Sequence, residues 1–321
     1  MKELKKSLFP VFEWTAPKAA IMGGFSLDNE NFNCHQQYLA YLSELSKHIK
    51  VLYFGNIECQ KIIKDKIPCH NIDFIDYQLD SIWIRDYAPI WLQCRETQEF
   101  KLANFPYGAN HFGKKERDDR FSYKLSEVVG LPLELDFPRK EIPFYFDGGN
   151  LFVDEELNCF TSIREDDPPL KFRQRLLAHI NCDNVITMNT IPEEPTGHVD
   201  TFMKILPHKK VLLASYQSQK FKVEMDKNKT ILENLGYEII EIAHSDREGY
   251  THWSYLNSLI IEEKVFVPQY DLDEDEKAFQ IYKDIGFTVI PIKARKIMKE
   301  NGSLHCITNF IYQSCGKTFS S

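Results

Sequence analysis

Short apolar runs recur along the whole chain and alternate with segments of helical periodicity. The runs are rich in Val, Ile, Phe and Tyr and are bounded by turn residues, which is typical of short strands. Apolar residues at helical spacing mark five segments: "FNCHQQYLAYLSELSKHI", "RFSYKLSEVVG", "LKFRQRLLAHI", "EMDKNKTILENLG" and "DEKAFQIYKDIG". Three of them end at Gly130, Gly236 and Gly286, as helices often do. This order of elements predicts an α/β fold with several small mixed sheets around a centre, not one doubly wound sheet.

Composition and charge narrow the class of protein. The chain has 321 residues, of which 43% are hydrophobic and 27% charged, with a formal net charge of −8. No linker or low-complexity block divides it, so we expect a single domain over residues 1–321. A basic stripe is lacking, which argues against a nucleic-acid partner. No run approaches a membrane span and the N-terminus lacks a signal-peptide pattern, so we expect no membrane partner and a cytoplasmic location.

The eight cysteines are scattered along the chain and form no C-x-x-C pair. A zinc ribbon or a thioredoxin-like site is therefore disfavoured, and we expect no metal. In a cytoplasmic protein the thiols are expected to be reduced.

Two apolar segments contain polar residues where a strand interior is expected. In "SIWIRDYAPIW", Arg85 and Asp86 lie within a run that holds Trp83 and Trp91. Buried charges are costly unless they are paired, so these residues either end a strand and pair elsewhere or bind a charged ligand. In "FYFDGGNLFVD", the glycines after Asp147 indicate either a hairpin turn or a close approach of the backbone.

Two further segments contain a histidine and a cysteine. In "TGHVDTFMKIL", His198 and Asp200 point to the same face if the run is a strand. Such a pair can act as acid and base near neutral pH, and a purely structural histidine fits the pattern equally well. In "NGSLHCITNF", Cys306 taken alone is typical of a buried core thiol. His305 would lie on the other face of a strand, which favours His198 as the base.

Taken together, a thiol, a histidine and two carboxylates indicate chemistry on a planar cation. The fork of a guanidinium matches a carboxylate bidentately, so Asp86 and Asp200 could each accept two hydrogen bonds from it. Cys306 would then attack the central guanidinium carbon as a thiolate, a form that nearby positive charge favours.

The chain resembles the agmatine deiminase and bacterial (Porphyromonas-type) peptidylarginine deiminase family of the guanidine-modifying superfamily. Five ordered segments carry the resemblance: "WIRDYAPIW", "DGGNLFVD", "TGHVDTFMKIL", "YLNSLIIEEKVFVPQY" and "GSLHCIT". The resemblance implies a five-bladed, pseudo-fivefold α/β propeller with the site at its centre. It implies a catalytic set of Cys306, His198, Asp86 and Asp200. It implies substrate-binding positions at Trp83, Asp147 and Asn257.

The activity that the resemblance implies is a cysteine-dependent, cofactor-free hydrolysis of a guanidino compound through a covalent thiouronium. Agmatine is the first substrate candidate and would give N-carbamoylputrescine and ammonia, a step of putrescine biosynthesis. Peptidyl-arginine, which would give citrulline, is the alternative, because "RDYA" follows the peptidylarginine form and Asp147 replaces the usual Glu before "GGN". An amidinotransferase, a non-catalytic guanidine-binding protein and a papain-like protease are further alternatives, and homo-oligomerisation stays open.

Overall fold

The computed structural model describes residues 8–24, 32–107, 115–137, 145–164, 170–246 and 252–313. Within these ranges the strands are short and belong to five sheets of three or four strands. The strands are β1 (Leu8–Pro10), β2 (Ala19–Gly23), β3 (Val51–Gly55), β4 (Ile72–Asp76), β5 (Ile90–Cys94), β6 (Phe100–Asn104), β7 (Leu133–Asp136), β8 (Phe152–Val153), β9 (Asn158–Ser162), β10 (Asn184–Met188), β11 (Met203–Leu206), β12 (Lys210–Ser215), β13 (Glu238–Ala243), β14 (Leu259–Ile261), β15 (Lys264–Gln269), β16 (Thr288–Lys293) and β17 (Asn309–Ile311).

Helices lie between the strands over the same described ranges. They are α1 (Phe32–Ser46), α2 (Ile57–Lys66), α3 (Ile84–Tyr87), α4 (Glu116–Asp119), α5 (Phe121–Val129), α6 (Leu170–Ala178), α7 (Gln219–Asn234), α8 (Asp275–Asp284) and α9 (Arg295–Met298). The five helices predicted from periodicity are confirmed as α1, α5, α6, α7 and α8. Gly130, Gly236 and Gly286 all have positive φ, as expected for glycines that end helices.

The chain forms two compact units. The first unit comprises Met1–Thr15, Leu92–Gln98 and Gly149–His305, and the second comprises Ala16–Trp91, Glu99–Gly148 and Cys306–Ser321. Four sheets lie whole within one unit. The remaining strands are β1, β5, β6 and β7.

The first unit repeats one arrangement three times. An antiparallel hairpin is followed by a helix and then by a strand that pairs parallel to the hairpin. The three sheets have the strand orders β8–β9–β10, β11–β12–β13 and β14–β15–β16, and their crossover helices are α6, α7 and α8. The parallel registers include Val211 opposite Ile239 and Phe266 opposite Ile290. This unit also holds an antiparallel pairing of β1 with residues 92–94 of β5.

The second unit contains a sheet of order β17–β2–β3–β4, with β17 antiparallel and the other pairs parallel. Every residue of β2 and β3 is buried, as is typical of strands in a mainly parallel sheet that is covered on both faces. The parallel pair of β6 and β7 lies in the same unit. The apolar periodicity of the sequence did not predict helix α2. Asn56 caps this helix by accepting a hydrogen bond from the Cys59 amide at 2.8 Å.

The backbone at the polar motifs differs from the predicted strands. Residues Ile84–Tyr87 form a helical turn, and the chain becomes extended at Ala88 because Pro89 follows it. Gly148–Asn150 and Val199–Thr201 are single turns of 3₁₀-helix. The prediction that His198 and Asp200 share one face of a strand is therefore wrong. Cys306 also lies in a turn, three residues before β17.

One expectation about the cysteines is corrected by the structure. Cys159 and Cys182 form a disulfide with their Cα atoms 5.6 Å apart. The reason is topological: α6 returns the chain so that β10 pairs parallel with β9, which brings Cys182, just before β10, back to Cys159. Cys59, Cys69, Cys94 and Cys306 are thiols. Cys315 and the side chain of Cys34 lie outside the described part of the chain.

Neither a membrane-spanning helix nor a cluster of metal ligands occurs in the described part of the chain. None of the helices there has the length and apolar character needed to cross a membrane. No group of three or more His, Cys, Asp or Glu side chains in the same ranges is placed to hold a metal ion.

Candidate active site

The predicted site residues are divided between the two units. The first unit contains His198, Asp200 and Asn257. The second unit contains Trp83, Asp86, Asp147 and Cys306.

In the second unit, the helical turn α3 carries Asp86 to the Cys306 segment. The Arg85 amide donates a hydrogen bond to the Cys306 carbonyl at 3.1 Å, which places Asp86 one residue from the cysteine backbone. The Arg85 guanidinium itself lies 5.8 Å from the Phe310 ring centroid and is buried. Asp86 and Trp83 are partly exposed. Arg85 and Asp86 are adjacent in the sequence, but their side chains therefore lie in different environments.

The Asp147 segment packs against the same helical turn. A Cβ atom on Gly148 would lie 2.3 Å from the Arg85 carbonyl oxygen, so the contact excludes any side chain there. This confirms the close backbone approach, one of the two interpretations of the glycine pair. Burial raises the pKa of Tyr107 well above its ordinary value, and the charges of Asp86 and Asp147 raise it further. Both carboxylates therefore lie near this tyrosine.

The loop before α3 is held by a buried carboxylate on α4. Asp118 accepts hydrogen bonds from the Asp80 amide at 2.7 Å and from the Ser81 hydroxyl at 2.6 Å. Burial raises its pKa from 3.8 to about 6, although these two hydrogen bonds act in the opposite direction. The Ser81 carbonyl in turn accepts a hydrogen bond from the Tyr87 hydroxyl at 2.8 Å. Asp118 thus helps to place Trp83 and Asp86.

Replacing Asp118 with Asn should change how stability depends on pH. The folded-state pKa of about 6 is above the ordinary 3.8. The neutral carboxyl of Asp118 therefore stabilises the folded protein below about pH 4. This contribution to the free energy of unfolding is on the order of 3 kcal/mol, and it is lost as the pH rises through about 6. We expect the variant to gain stability relative to wild type by up to that amount between these pH values, measured by urea unfolding.

A matched control for this experiment is Asp76→Asn, which changes an exposed aspartate at the end of β4. This variant removes a surface carboxylate and therefore gives the baseline for the comparison. A pH dependence of Asp118→Asn no larger than this baseline would contradict the assigned role of burial.

In the first unit, the charge of His198 acts on two buried carboxyl groups, those of Glu194 and Asp200. It precedes the 3₁₀ turn Val199–Thr201, and its carbonyl accepts a hydrogen bond from the Thr201 hydroxyl at 2.7 Å. Burial raises the pKa of Glu194, and the charge of His198 acts to lower it. His198 also acts to lower the pKa of Asp200. His198 therefore shares a buried, charged environment with these two carboxyl groups.

Asp200 is fully buried and is hydrogen-bonded to His305. The distance from Asp200 Oδ2 to His305 Nδ1 is 2.7 Å. Burial acts to raise the pKa of Asp200, but this hydrogen bond and the charges of His305, His198 and Lys204 hold it below its ordinary value. Asp200 therefore stays ionised at neutral pH, as a ligand for a cation must.

Asn257 joins the Asp200 segment to the turn before Cys306. Its side-chain amide donates to the Asp200 carbonyl at 3.3 Å, and its Oδ1 accepts from the Ser303 amide at 3.0 Å. Its own carbonyl accepts from the His305 amide at 3.2 Å. The residue is fully buried, so these contacts favour a role in holding the turn.

Three residues of this environment were not identified as site residues from the sequence: Glu13, Glu194 and His305. Glu194 stands four residues before His198, and this proximity was an available signal. His305 was assigned to the opposite face of a strand from Cys306, and the structure shows it in a turn as the partner of Asp200. Glu13 lies 292 residues from His305, and no local pattern links the two.

Comparison with known proteins agrees with this fold and these motifs. The family model of the Porphyromonas-type peptidyl-arginine deiminases matches residues 12–311. The agmatine deiminase of Ectopseudomonas mendocina is 23% identical over 286 residues, which cover 74% of this chain and 76% of that protein. The solved structure of C. jejuni agmatine deiminase has a TM-score of 0.81 at 19% identity, over 95% of this chain and 96% of that chain.

A second C. jejuni structure is a cysteine-to-serine variant with substrate bound. It has a TM-score of 0.83 at 18% identity and covers 95% of this chain and 96% of that chain. These likenesses confirm the predicted fold. The chain belongs to the Porphyromonas-type peptidyl-arginine deiminase family. It is accordingly a hydrolase that acts on carbon–nitrogen bonds of linear amidines.

Proposed function

We propose that the protein is a cysteine-dependent deiminase that hydrolyses agmatine to N-carbamoylputrescine and ammonia. The observation that carries the proposal is the connection of the cysteine to a buried carboxylate. His305 is hydrogen-bonded to Asp200 at 2.7 Å, and Cys306 follows it in the chain. A trans peptide separates neighbouring Cα atoms by about 3.8 Å, so the nucleophile and a guanidinium ligand belong to adjoining segments.

The proposed binding step uses Asp86 and Asp200 as acceptors for the N–H groups of the guanidinium. An ionised carboxylate has about four acceptor positions, so the hydrogen bond from His305 leaves Asp200 able to accept from a substrate as well. Charge-assisted bonds of this kind fix the cation in one plane. The central carbon is thereby oriented for attack, which lowers the entropic part of the barrier.

The proposed chemistry has two stages with one covalent intermediate. The Cys306 thiolate forms a bond to the central carbon, and the carbon–nitrogen bond to one amino group breaks. The departing nitrogen takes a proton from His198 and leaves as ammonia. His198 then takes a proton from water, whose oxygen attacks the thiouronium carbon. The carbon–sulfur bond breaks to regenerate the thiolate and give the ureido product, and the remaining proton on the product oxygen passes through solvent to the released ammonia, which becomes ammonium.

Agmatine is favoured over arginine by the charge of the second unit. Asp86 and Asp147 both act on Tyr107, so two carboxylates lie in one neighbourhood. Agmatine carries a guanidinium and an amine, and the second cation would find a partner in Asp147. Free arginine adds a carboxylate, which these negative charges would repel. Relatives of this chain that are named agmatine deiminases support the same choice. Trp83 is proposed as a wall of the substrate slot.

Ammonia release tests the proposal directly. Purified protein is incubated separately with agmatine, free arginine and a peptide with an internal arginine. We expect agmatine to be turned over with a kcat/KM at least about tenfold above the other two compounds, a difference of about 1.4 kcal/mol for one ion pair. Preference for the peptide would establish the alternative, peptidyl-arginine deimination. Absence of ammonia from all three would refute hydrolysis of these substrates.

A further inference from the structure

A buried series of hydrogen-bonded side chains extends from Asp200 through His305 to Glu13. The His305 ring donates or accepts at both nitrogens: Nδ1 lies 2.7 Å from Asp200 Oδ2, and Nε2 lies 2.9 Å from Glu13 Oε1. His305 is 1% exposed and Asp200 0%, and the Glu13 side chain is 9% exposed. Lys204, also 0% exposed, has its Nζ 3.5 Å from the same Glu13 oxygen. All four residues belong to the first unit.

The hydrogen bonds within this series of side chains determine the net charge of the group. An ionised carboxylate can only accept, so each contact of the imidazole with a carboxylate requires a proton on that ring nitrogen. Two ionised carboxylates and one ammonium carry a net charge of −1, and a doubly protonated His305 brings the group to zero. Buried charges are tolerated when they are paired in this way. The charge of His198 also acts on Asp200 and on Glu194.

Packing holds the imidazole ring in its orientation. The Phe152 ring lies against it, with the two ring centroids 5.9 Å apart. The Lys204 ammonium lies 5.4 Å from the centroid of the same phenylalanine ring. The His305 amide is bonded to the Asn257 carbonyl at 3.2 Å. The ring therefore has little freedom, and it can transmit the position of Glu13 to the Asp200 carboxylate.

We propose that Glu13 and His305 are positioning residues for the deimination: Glu13 holds the imidazolium of His305, which in turn orients the Asp200 carboxylate toward the guanidinium. The proposal rests on the proposed function for the role of Asp200. It adds two residues that need not touch the substrate. It also explains why a histidine precedes the nucleophile: the residue that orients Asp200 is covalently attached to Cys306.

The variant Glu13→Gln tests the proposal, because it keeps the shape of the side chain and removes its charge. We expect kcat/KM for agmatine to fall about 10- to 100-fold, as misplaced catalytic groups commonly cause, with an altered pH–rate profile. Glu13→Ala should cause a larger loss than Glu13→Gln. His244→Gln is the matched control: His244 is a buried histidine of the same unit whose ring contacts the Ile242 carbonyl and the Tyr255 amide.

A second readout needs no activity. In protein labelled with ¹⁵N-histidine, the His305 signals are assigned by their loss in His305→Gln. In the NMR spectrum, wild type should show a proton on each ring nitrogen, as hydrogen bonds to two ionised carboxylates require, and Glu13→Gln should lose one of them. Thermal unfolding of each variant shows whether it is folded.

The two readouts separate this proposal from the proposed function. Wild type that turns over agmatine, with Glu13→Gln within about twofold of its kcat/KM, would overturn the positioning role, because a misplaced group should cost much more. Wild type that turns over no guanidino compound refutes the proposed function. In that case the His305 ring signals still test the link from Glu13 to His305. Loss of a ring proton in Glu13→Gln supports this link, and an unchanged spectrum overturns it.

Discussion

Replacing Cys306 with Ala is expected to reduce ammonia release from agmatine by at least about 10⁴-fold, because removal of a nucleophile leaves only binding and electrostatic effects. Cys306 is 4% exposed and lies in a turn held through the Arg85 amide. The substitution removes one sulfur atom without touching these backbone bonds. Binding of agmatine, measured by calorimetry, should persist, since Asp86 and Asp200 remain.

The matched control for this variant is Cys59→Ala. Cys59 is a thiol of the same unit, 2% exposed, on helix α2. Its loss should affect stability and leave kcat unchanged. Mass spectrometry of rapidly quenched wild type should show an adduct of the substrate carbon on Cys306, which the Cys306→Ala variant lacks. Full activity of Cys306→Ala would disprove the assignment of the nucleophile.

Replacing His198 with Asn is expected to reduce kcat by about 10²- to 10⁴-fold, the usual contribution of a general acid and base. Both stages of the proposed reaction use this histidine, first to protonate the departing nitrogen and then to activate water. Asparagine retains a polar group but cannot transfer a proton. The shape of the kcat–pH profile should therefore change in the variant, as measured by steady-state kinetics over the stable pH range.

His244→Asn provides the comparison for this second variant. Burial lowers the pKa of His244 to about 4, so it is neutral at the working pH and cannot serve as a proton donor. Its replacement should leave the shape of the pH profile unchanged. If His198→Asn retained the wild-type kcat and pH profile, another group would have to carry the proton.

Local patterns of the sequence were sufficient for much of the fold. The five periodic segments are helices, and Gly130, Gly236 and Gly286 end three of them, because both features depend on neighbours within a few residues. The repeated alternation of strands and helices was visible for the same reason. Helix α2 was missed because it has few buried residues, Cys59 and Ile63, and hence little apolar periodicity.

The sequence motifs identified the chemical groups of the candidate site, but the strand conformation predicted for these motifs was wrong. The runs around Asp86, Asp147 and His198 are apolar enough to suggest strands. Their conformations are turns set by Pro89, by the packing of Gly148 against Arg85, and by the hydrogen bond from Thr201 to the His198 carbonyl. Apolar composition indicates that a segment is buried, but it does not specify the backbone conformation. In these turns the burial comes from the surrounding structure and not from strand pairing.

By itself, the sequence determined the class of fold, the family resemblance and the candidate residues from Asp86 to Cys306, since these depend on local composition and ordered motifs. Only the tertiary structure decided that His305 binds Asp200, that Glu13 binds His305, and that Cys159 bonds to Cys182. These pairs are separated by 105, 292 and 23 residues. Contacts over such separations arise from chain topology and side-chain packing, which no local pattern of residues encodes.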